Sequence, residues 1–132
     1  AMNGASSRHF NHGEYRRWKF NEDPIDTEGL GDPEWGDWIN EKERKMNYFS
    51  DSAVITGING MKVGVDTKWR LQTRDLNELY SVSKCYMTVA NTYDHPIDAR
   101  CRPGYFFFGV TSVFSKPHRD RSYQFKCCRL KP

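Results

Sequence analysis

Cysteines, histidines and clustered charge are the features of this sequence that could do chemistry. His9, His12, His95 and His118 are scattered, and none belongs to a nucleophile motif. No G-x-S-x-G, H-E-x-x-H or phosphate loop occurs. His118 beside Asp120, or His95 beside Asp94, could be drawn as an acid–base pair. Both lie in stretches that read as turns, where a solvated imidazole is the default, so no catalytic residue is expected. Between Asn21 and Trp38 stand Glu22, Asp23, Asp26, Glu28, Asp32, Glu34 and Asp37, with no Lys or Arg. The D-x-D-x-D-G order of a calcium loop is missing there, so the segment reads as a solvated acidic loop. Neither metal nor cofactor is expected.

The four cysteines are Cys85, Cys101, Cys127 and Cys128. An even number in a short, loop-rich, aromatic chain points to two disulfides and an oxidising compartment. A zinc site is disfavoured, because no C-x2-C pair exists and adjacent cysteines suit a zinc knuckle poorly. Three pairings are open in principle. On a strand, Cys127 and Cys128 point to opposite faces, so each needs its own partner. Cys101 and Cys127 begin and end one two-strand unit, which favours Cys101–Cys127 and leaves Cys85–Cys128. Closing the loop of about 26 residues contributes roughly 3 kcal/mol through the unfolded state.

The remaining chemistry is cationic. The net charge of +3 is too small to imply a nucleic-acid partner, and the expected disulfides also argue against one. Arg16, Arg17, Lys68, Lys116, Arg119 and Arg121 fall at hairpin turns and strand starts, and could gather into a basic surface for sulfated or carboxylated sugars. Trp18 and Trp69 could offer stacking faces to a sugar, although alternation makes them better core residues.

The elements that would position these residues form a repeat. Gly109 to Leu130 reads as a strand over Val110–Phe114, a charged turn over Ser115–Asp120 centred on Pro117, and a strand over Arg121–Leu130. In that last strand Tyr123, Phe125 and Cys127 alternate onto one face. Gly4–Phe20 lies over Gly109–Phe125 without a gap, and Gly57–Leu71 is a middle copy about two residues shorter in its turn. Trp18, Trp69 and Tyr123 are equivalent, as are Phe20, Leu71 and Phe125, and Asp66 and Asp120. One supersecondary unit used several times needs its neighbours to bury its apolar face.

The copies span about 1–21, 38–76 and 85–132, with an acidic loop over 21–37. A good turn is expected around Asn11–Glu14. Trp35 and Trp38 are expected to pin the end of the acidic loop to the body. Glu41–Met46 could open a helix. Its match to Ala90–Ala99 in the last unit makes Trp38–Asn47 strand plus charged loop instead. Ala53–Ile58 and Tyr105–Val110 are apolar runs expected to be covered on both faces, with Gly57 and Gly109 at bulges or close approaches. Asn77–Lys84 reads as a connector, and Cys101–Gly104 as a tight turn.

At 132 residues with few aliphatics, many aromatics and Gly/Pro punctuation, the chain reads as a single all-β domain. Its repeats would pack about a pseudo-threefold axis, as a β-trefoil-like or β-prism-like body. No apolar run is long enough to span a membrane. None resembles a signal peptide either, but the chain opens in mid-repeat, so that carries no weight.

Asp120-Arg-Ser-Tyr-Gln-Phe-Lys-Cys-Cys-Arg129 resembles the repeated D-R-x-W-x-F/Y signature of the dermatopontin family. Asn91–Pro96, Cys101–Gly104 and Phe108–Ser112 are similar to the family's N-x-F-D-x-P, C-P-x-G and I-x-G-x-x-S order. Departures are Tyr15 for Asp in the first copy, Thr67 for Arg in the middle copy, and Tyr123 for Trp in the last. No Arg-Gly-Asp and no N-x-S/T sequon occurs. The Asp of the motif can bond turn N–H groups and the Arg can pair with a carboxylate, so the motif reads as mainly structural. The resemblance implies a secreted, extracellular, non-catalytic matrix or cell-adhesion protein. Glycosaminoglycans, cell-surface glycans or matrix proteins such as collagen or fibronectin would be its partners, with homo-oligomers an option. The alternative it implies is a lectin-like haemagglutinin, or a cytolytic toxin or defence effector acting on cell surfaces.

Overall fold

Strand patterning and turn chemistry produce three long hairpins, one from each repeat copy. The computed structural model describes residues 1–10 and 15–131, Tyr15 by its backbone alone. The first hairpin is β1 (Met2–Phe10) with β2 (Tyr15–Glu22). Two short strands follow, β3 (Glu34–Trp35) and β4 (Met46–Phe49). The second hairpin is β5 (Ala53–Val63) with β6 (Asp66–Asp75). After β7 (Ser81–Met87) and β8 (Ile97–Arg100) comes the third, β9 (Tyr105–Ser115) with β10 (Asp120–Lys131). Each hairpin anchors its own sheet, in the orders β2-β1-β8, β3-β6-β5 and β4-β9-β10-β7. No α-helix forms among the described residues, and no helix is long and apolar enough to cross a membrane.

The registers confirm the repeat residue by residue. Gly4 pairs with Asn21, Gly57 with Gln72 and Gly109 with Lys126. In each hairpin the residue before that glycine is unpaired: Asn3, Thr56 and Phe108 are three equivalent bulges. A bulge sharpens the strand's twist, so the same bend recurs three times. At Gly109 a Cβ would lie 2.5 Å from the Phe49 ring and 2.7 Å from the Tyr48 carbonyl, so only glycine lets β4 close on β9. The middle turn is shorter by two residues: Val63 pairs with Asp66 across Gly64-Val65, whereas Ser115 pairs with Asp120. Gly64 supplies the positive φ (62°) that a two-residue turn needs at its first central position.

The expected inward faces meet at the centre. The rings of Trp18, Trp69 and Tyr123, one per hairpin, touch edge to face at centroid distances of 5.3, 4.9 and 6.3 Å. Below them lie Phe20, Leu71 and Phe125, with Phe107 stacked on Phe125 at 4.4 Å. Three equivalent residues in mutual contact are compatible with trefoil- or prism-like closure. A second, smaller core of Leu30, Val54, Phe106, Phe108 and Cys128 covers the other face of β5 and β9, which explains the unbroken apolar runs at their starts. Cys127 faces the first core and Cys128 the second. The disulfides are Cys101–Cys127 and Cys85–Cys128.

Two details differ from expectation, and a third is qualified. Ser81–Lys84 is not connector but the start of β7, which pairs with the end of β10. Its polar residues hide a strand whose Val82 and Cys85 alone face the second core and Cys128. Trp38–Asn47 is loop leading into strand, as read, but its match to the last unit is offset by one residue. Met46 opposes Ser112 as Ile97 opposes Ser7. The extra residue sits in the link after the strand, 101–104 against 50–52. Trp35 and Trp38 do not bury: they remain 47% and 36% exposed. They still hold the end of the loop to the body, Trp35 pairing with Gln72 and both rings meeting Arg70, while buried Leu30, bridged to Leu76, and Arg74 Nε, donating to the Gly31 carbonyl at 2.7 Å, hold its middle. The turn expected around Asn11–Glu14, with His12, lies outside the described residues.

Candidate functional site

The aspartate and arginine positions of the repeated motif are the first two of the second strand of each hairpin, occupied by Tyr15-Arg16, Asp66-Thr67 and Asp120-Arg121. There they face a neighbouring hairpin. Arg121 of the third hairpin forms a forked pair with Asp66 of the second, Nε to Oδ1 at 2.6 Å and Nη2 to Oδ2 at 2.8 Å. Arg16 of the first pairs likewise with Asp120 of the third, at 2.7 and 2.5 Å. All four side chains are at least 95% buried. The relay therefore runs from each Arg to the Asp of another copy. Its remaining link would join position 67 to position 15, and those are Thr67 and Tyr15. The two departures noted in the sequence are the two halves of one absent pair.

Each carboxylate also accepts backbone N–H groups. Asp66 takes those of Glu43 and Thr67, at 2.6 and 2.7 Å, and Asp120 takes that of Asp94 at 2.9 Å. These N–H groups and the forked arginines together satisfy the oxygens of the two buried carboxylates. Tyr123, the third departure, accepts a bond from the Trp69 indole Nε1–H at 3.1 Å, which a third tryptophan could not. Burial pushes the Tyr123 phenol well above its ordinary value, outweighing the Trp69 bond and the Arg121 charge.

The described histidines do not make the His118–Asp120 and His95–Asp94 pairs that the sequence suggests. His118 Nδ1 lies 2.8 Å from the Ser115 hydroxyl, and its ring stacks on Tyr93. Asp94 meets His9 at 3.4 Å rather than His95. His9, Asp94 and Asp120 bring ligand atoms within 4.8 Å of one another. Asp120 is committed to Arg16 and to a backbone N–H, which leaves little charge there for a cation.

Of the six basic residues singled out in the sequence, Arg16 and Arg121 are internal. Lys116 and Arg119 stand in the exposed third turn. Arg17 and Lys68 are equivalent, on the outward faces of β2 and β6. The six therefore do not form one surface. What they do mark is the outward face of the first hairpin. Arg17 opposes Arg8, and Lys19 opposes Ser6. With Phe10 and Pro96 these residues line a groove of about 500 Å³. No carboxylate of the described residues lines it, and the nearby Asp98 is paired with Arg100 at 3.7 Å. The Arg17 guanidinium lies 5.2 Å over the Phe10 ring.

The second hairpin carries a related face, where Arg70 lies over both Trp35 and Trp38 (5.2 and 5.5 Å) and Lys68 over Trp38 (5.4 Å). Such stacking accounts for the exposed tryptophans. Arg8, Lys19 and Arg70 were missed in the sequence, yet the alternation that turns Trp18, Phe20 and Trp69 inward turns Arg17, Lys19, Lys68 and Arg70 outward.

The family model described as dermatopontin matches residues 61–132, more than half of the chain. A curated relative, the hemagglutinin/amebocyte aggregation factor of Limulus polyphemus, is 28% identical over 133 residues, covering 96% of this chain and 75% of that protein. No solved structure matches the chain. The matched segment carries the paired-cysteine strand, the Asp–Arg relay at Asp66, Asp120 and Arg121, and two of the three central rings, and on these grounds the chain belongs to the dermatopontin family.

Proposed function

We propose that this is a secreted, non-catalytic adhesion protein of the extracellular matrix or cell surface, and that its ligands are sulfated or carboxylated glycans bound on the outward face of the first hairpin. The observation that carries the reading is the groove lined by Arg8, Arg17 and Lys19, with no carboxylate among the described residues that line it. Its volume is in the range of small-ligand sites. Three cations on a rigid two-stranded face suit repeating anionic sugars, and the Phe10 edge and Pro96 offer apolar contact to a ring. Two disulfides support a role outside the cell.

The test is retention on immobilised heparin and dermatan sulfate across a salt gradient, for the parent and for an Arg8→Gln/Arg17→Gln/Lys19→Gln variant. Charge-driven binding falls with salt. At about 1 kcal/mol per exposed ion pair, the triple variant loses roughly a hundredfold in affinity. A Lys116→Gln/Arg119→Gln variant keeps its retention. Unchanged retention of the triple variant, or loss through the turn variant instead, overturns the assignment.

A second reading is agglutination. It is favoured by the second basic–aromatic face at Lys68, Arg70, Trp35 and Trp38, and by the similarity to the Limulus hemagglutinin/amebocyte aggregation factor. Two faces on different hairpins could cross-link cells without an oligomer. Agglutination of erythrocytes by the parent, lost in an Arg70→Gln/Lys68→Gln variant that still binds heparin, would support it. Agglutination unaffected by that variant would remove it.

A further inference from the structure

Two segments lash the hairpins together in the same way. Residues 40–49 begin on the second hairpin: Asn40 donates to the Thr67 carbonyl at 3.0 Å and accepts from the Trp69 N–H at 2.8 Å. Residues 91–100 begin on the third, where Asn91 does the same with Arg121 and Tyr123, at 3.3 and 2.6 Å. Three residues on, Glu43 and Asp94 adopt positive φ (61° and 65°) and donate to Asp66 and Asp120. The next carbonyls, of Arg44 and His95, accept from Arg121 and Arg16, at 2.8 and 3.0 Å. Each segment then pairs as a strand with the following hairpin, β4 along β9 and β8 along β1. The first strap thus joins hairpins two and three, and the second joins three and one.

The junction from hairpin one to hairpin two has no strap among the described residues. Its signature is burial. In the strapped hairpins the positions after the glycine are closed: Ala5 and Ser7 are 1% and 4% exposed, and Val110 and Ser112 are 1% and 2%. Their equivalents on β5 are half-buried Ile58 and exposed Gly60, with exposed Asn59 between them. The Asn3 and Phe108 carbonyls at the bulges accept the N–H groups of Cys101 and Ser50, which follow the strap strands. The matching Thr56 carbonyl receives no such bond among the described residues. Thr67 and Tyr15, the absent ion pair, stand at this same junction.

We infer that the edge of β5 over Gly57–Gly60, together with the edge of β2 at Arg16–Trp18, is a docking site for a third strap. Its occupant is an extended peptide with an asparagine six residues ahead of an apolar-x-apolar pair, as in Asn40 to Met46 and Tyr48, and in Asn91 to Ile97 and Ala99. The peptide runs antiparallel to β5, its first apolar residue opposite Gly60 and its second opposite Ile58. The asparagine bonds the Trp18 N–H and the Arg16 carbonyl. The two existing straps reach the next hairpin through three and four residues, so the segment that fits runs directly into β1. This is strand addition to a sheet edge, with main-chain bonds giving affinity and the apolar pair giving register. It does not rest on the glycan reading: the strap bonds the β2 backbone at its edge, whereas the groove uses the outward side chains of Arg8, Arg17 and Lys19.

The test joins a copy of residues 40–53 directly ahead of Ala1, which keeps the spacing from the strap to the bulge glycine and raises the strap's effective concentration at the junction. Hydrogen exchange is read by NMR against the unextended chain and against a control whose two apolar strap residues are Asp. The expected result is exchange slowed at least about tenfold at the edge-facing amides within 57–60 and at Trp18, with neither slowed in the control and heparin retention unchanged. Equal exchange in all three proteins overturns the inference. So does protection of the same amides in the unextended chain that grows with protein concentration, because a second copy would then be the occupant.

Discussion

Replacing Arg121 by leucine removes the forked partner of Asp66 while leaving that carboxylate almost wholly out of water. Asp66 would still accept the Glu43 and Thr67 N–H groups, and dipoles alone do not replace a cation at 2.6 Å. Breaking a buried pair by removing one partner costs about 3–5 kcal/mol. Arg121 also donates to the Arg44 carbonyl at 2.8 Å, so the first strap loosens as well, and the upper half of that range is expected. Against a typical total of about 5–15 kcal/mol, the loss is large but leaves a folded protein.

The assay is urea unfolding followed by tryptophan fluorescence, disulfides intact, since Trp18 and Trp69 sit at the junction of all three hairpins. With a slope of about 2 kcal/mol/M, the midpoint falls by roughly 2 M. Adding Asp66→Asn to Arg121→Leu removes the stranded charge, keeps one acceptor for the backbone, and recovers about half of the loss. A midpoint shift below about 0.5 M for the single variant, or a double variant no better than the single one, refutes the argument that the relay is a desolvated, mutually dependent pair.

Tyr123 predicts an alkaline limit. Its folded-state phenol holds its proton above the ordinary value of about 10, so the unfolded chain deprotonates first. Stability is then level below about pH 10 and falls as pH rises beyond it. Tyr123→Phe flattens that slope in pH-dependent melting, while costing about 1–3 kcal/mol at neutral pH because the Trp69 N–H loses its acceptor. Removing Cys85–Cys128, which spans 43 residues, should cost about 4 kcal/mol by the loop-entropy relation, slightly more than removing Cys101–Cys127, which spans 26. Comparison of Cys→Ala pairs by thermal unfolding checks the order. Introducing Tyr15→Asp with Thr67→Arg rebuilds the absent relay link, and the pair should be more stable than either single variant by at least about 1 kcal/mol. Additive single effects in a double-mutant cycle would show that positions 15 and 67 do not meet.

Much was legible before any coordinate, because the repeat imposes its own checks. Three copies with aromatic residues at matched, alternating positions determined three hairpins and an inward ring from each. The two-residue difference in length determined which turn was short. Adjacent cysteines on one strand must face opposite ways, and that alone demanded two separate partners. What the sequence does not encode locally is which copy answers which. Arg16 and Arg121 read either as structural partners of a carboxylate or as turn cations for a glycan, and nothing local names the carboxylate. Only the closure of three hairpins against one another buries them on Asp120 and Asp66.

The exchange of strands was equally hidden. β4 precedes the second hairpin in the chain yet pairs with the third, and β8 precedes the third yet pairs with the first. Ser81–Lys84 shows the same limit in miniature, since a polar stretch becomes a strand only when β10 offers it an edge. Period and composition specify what each unit buries; the partners it buries them against are set by long-range contacts whose free energy appears only when the units meet.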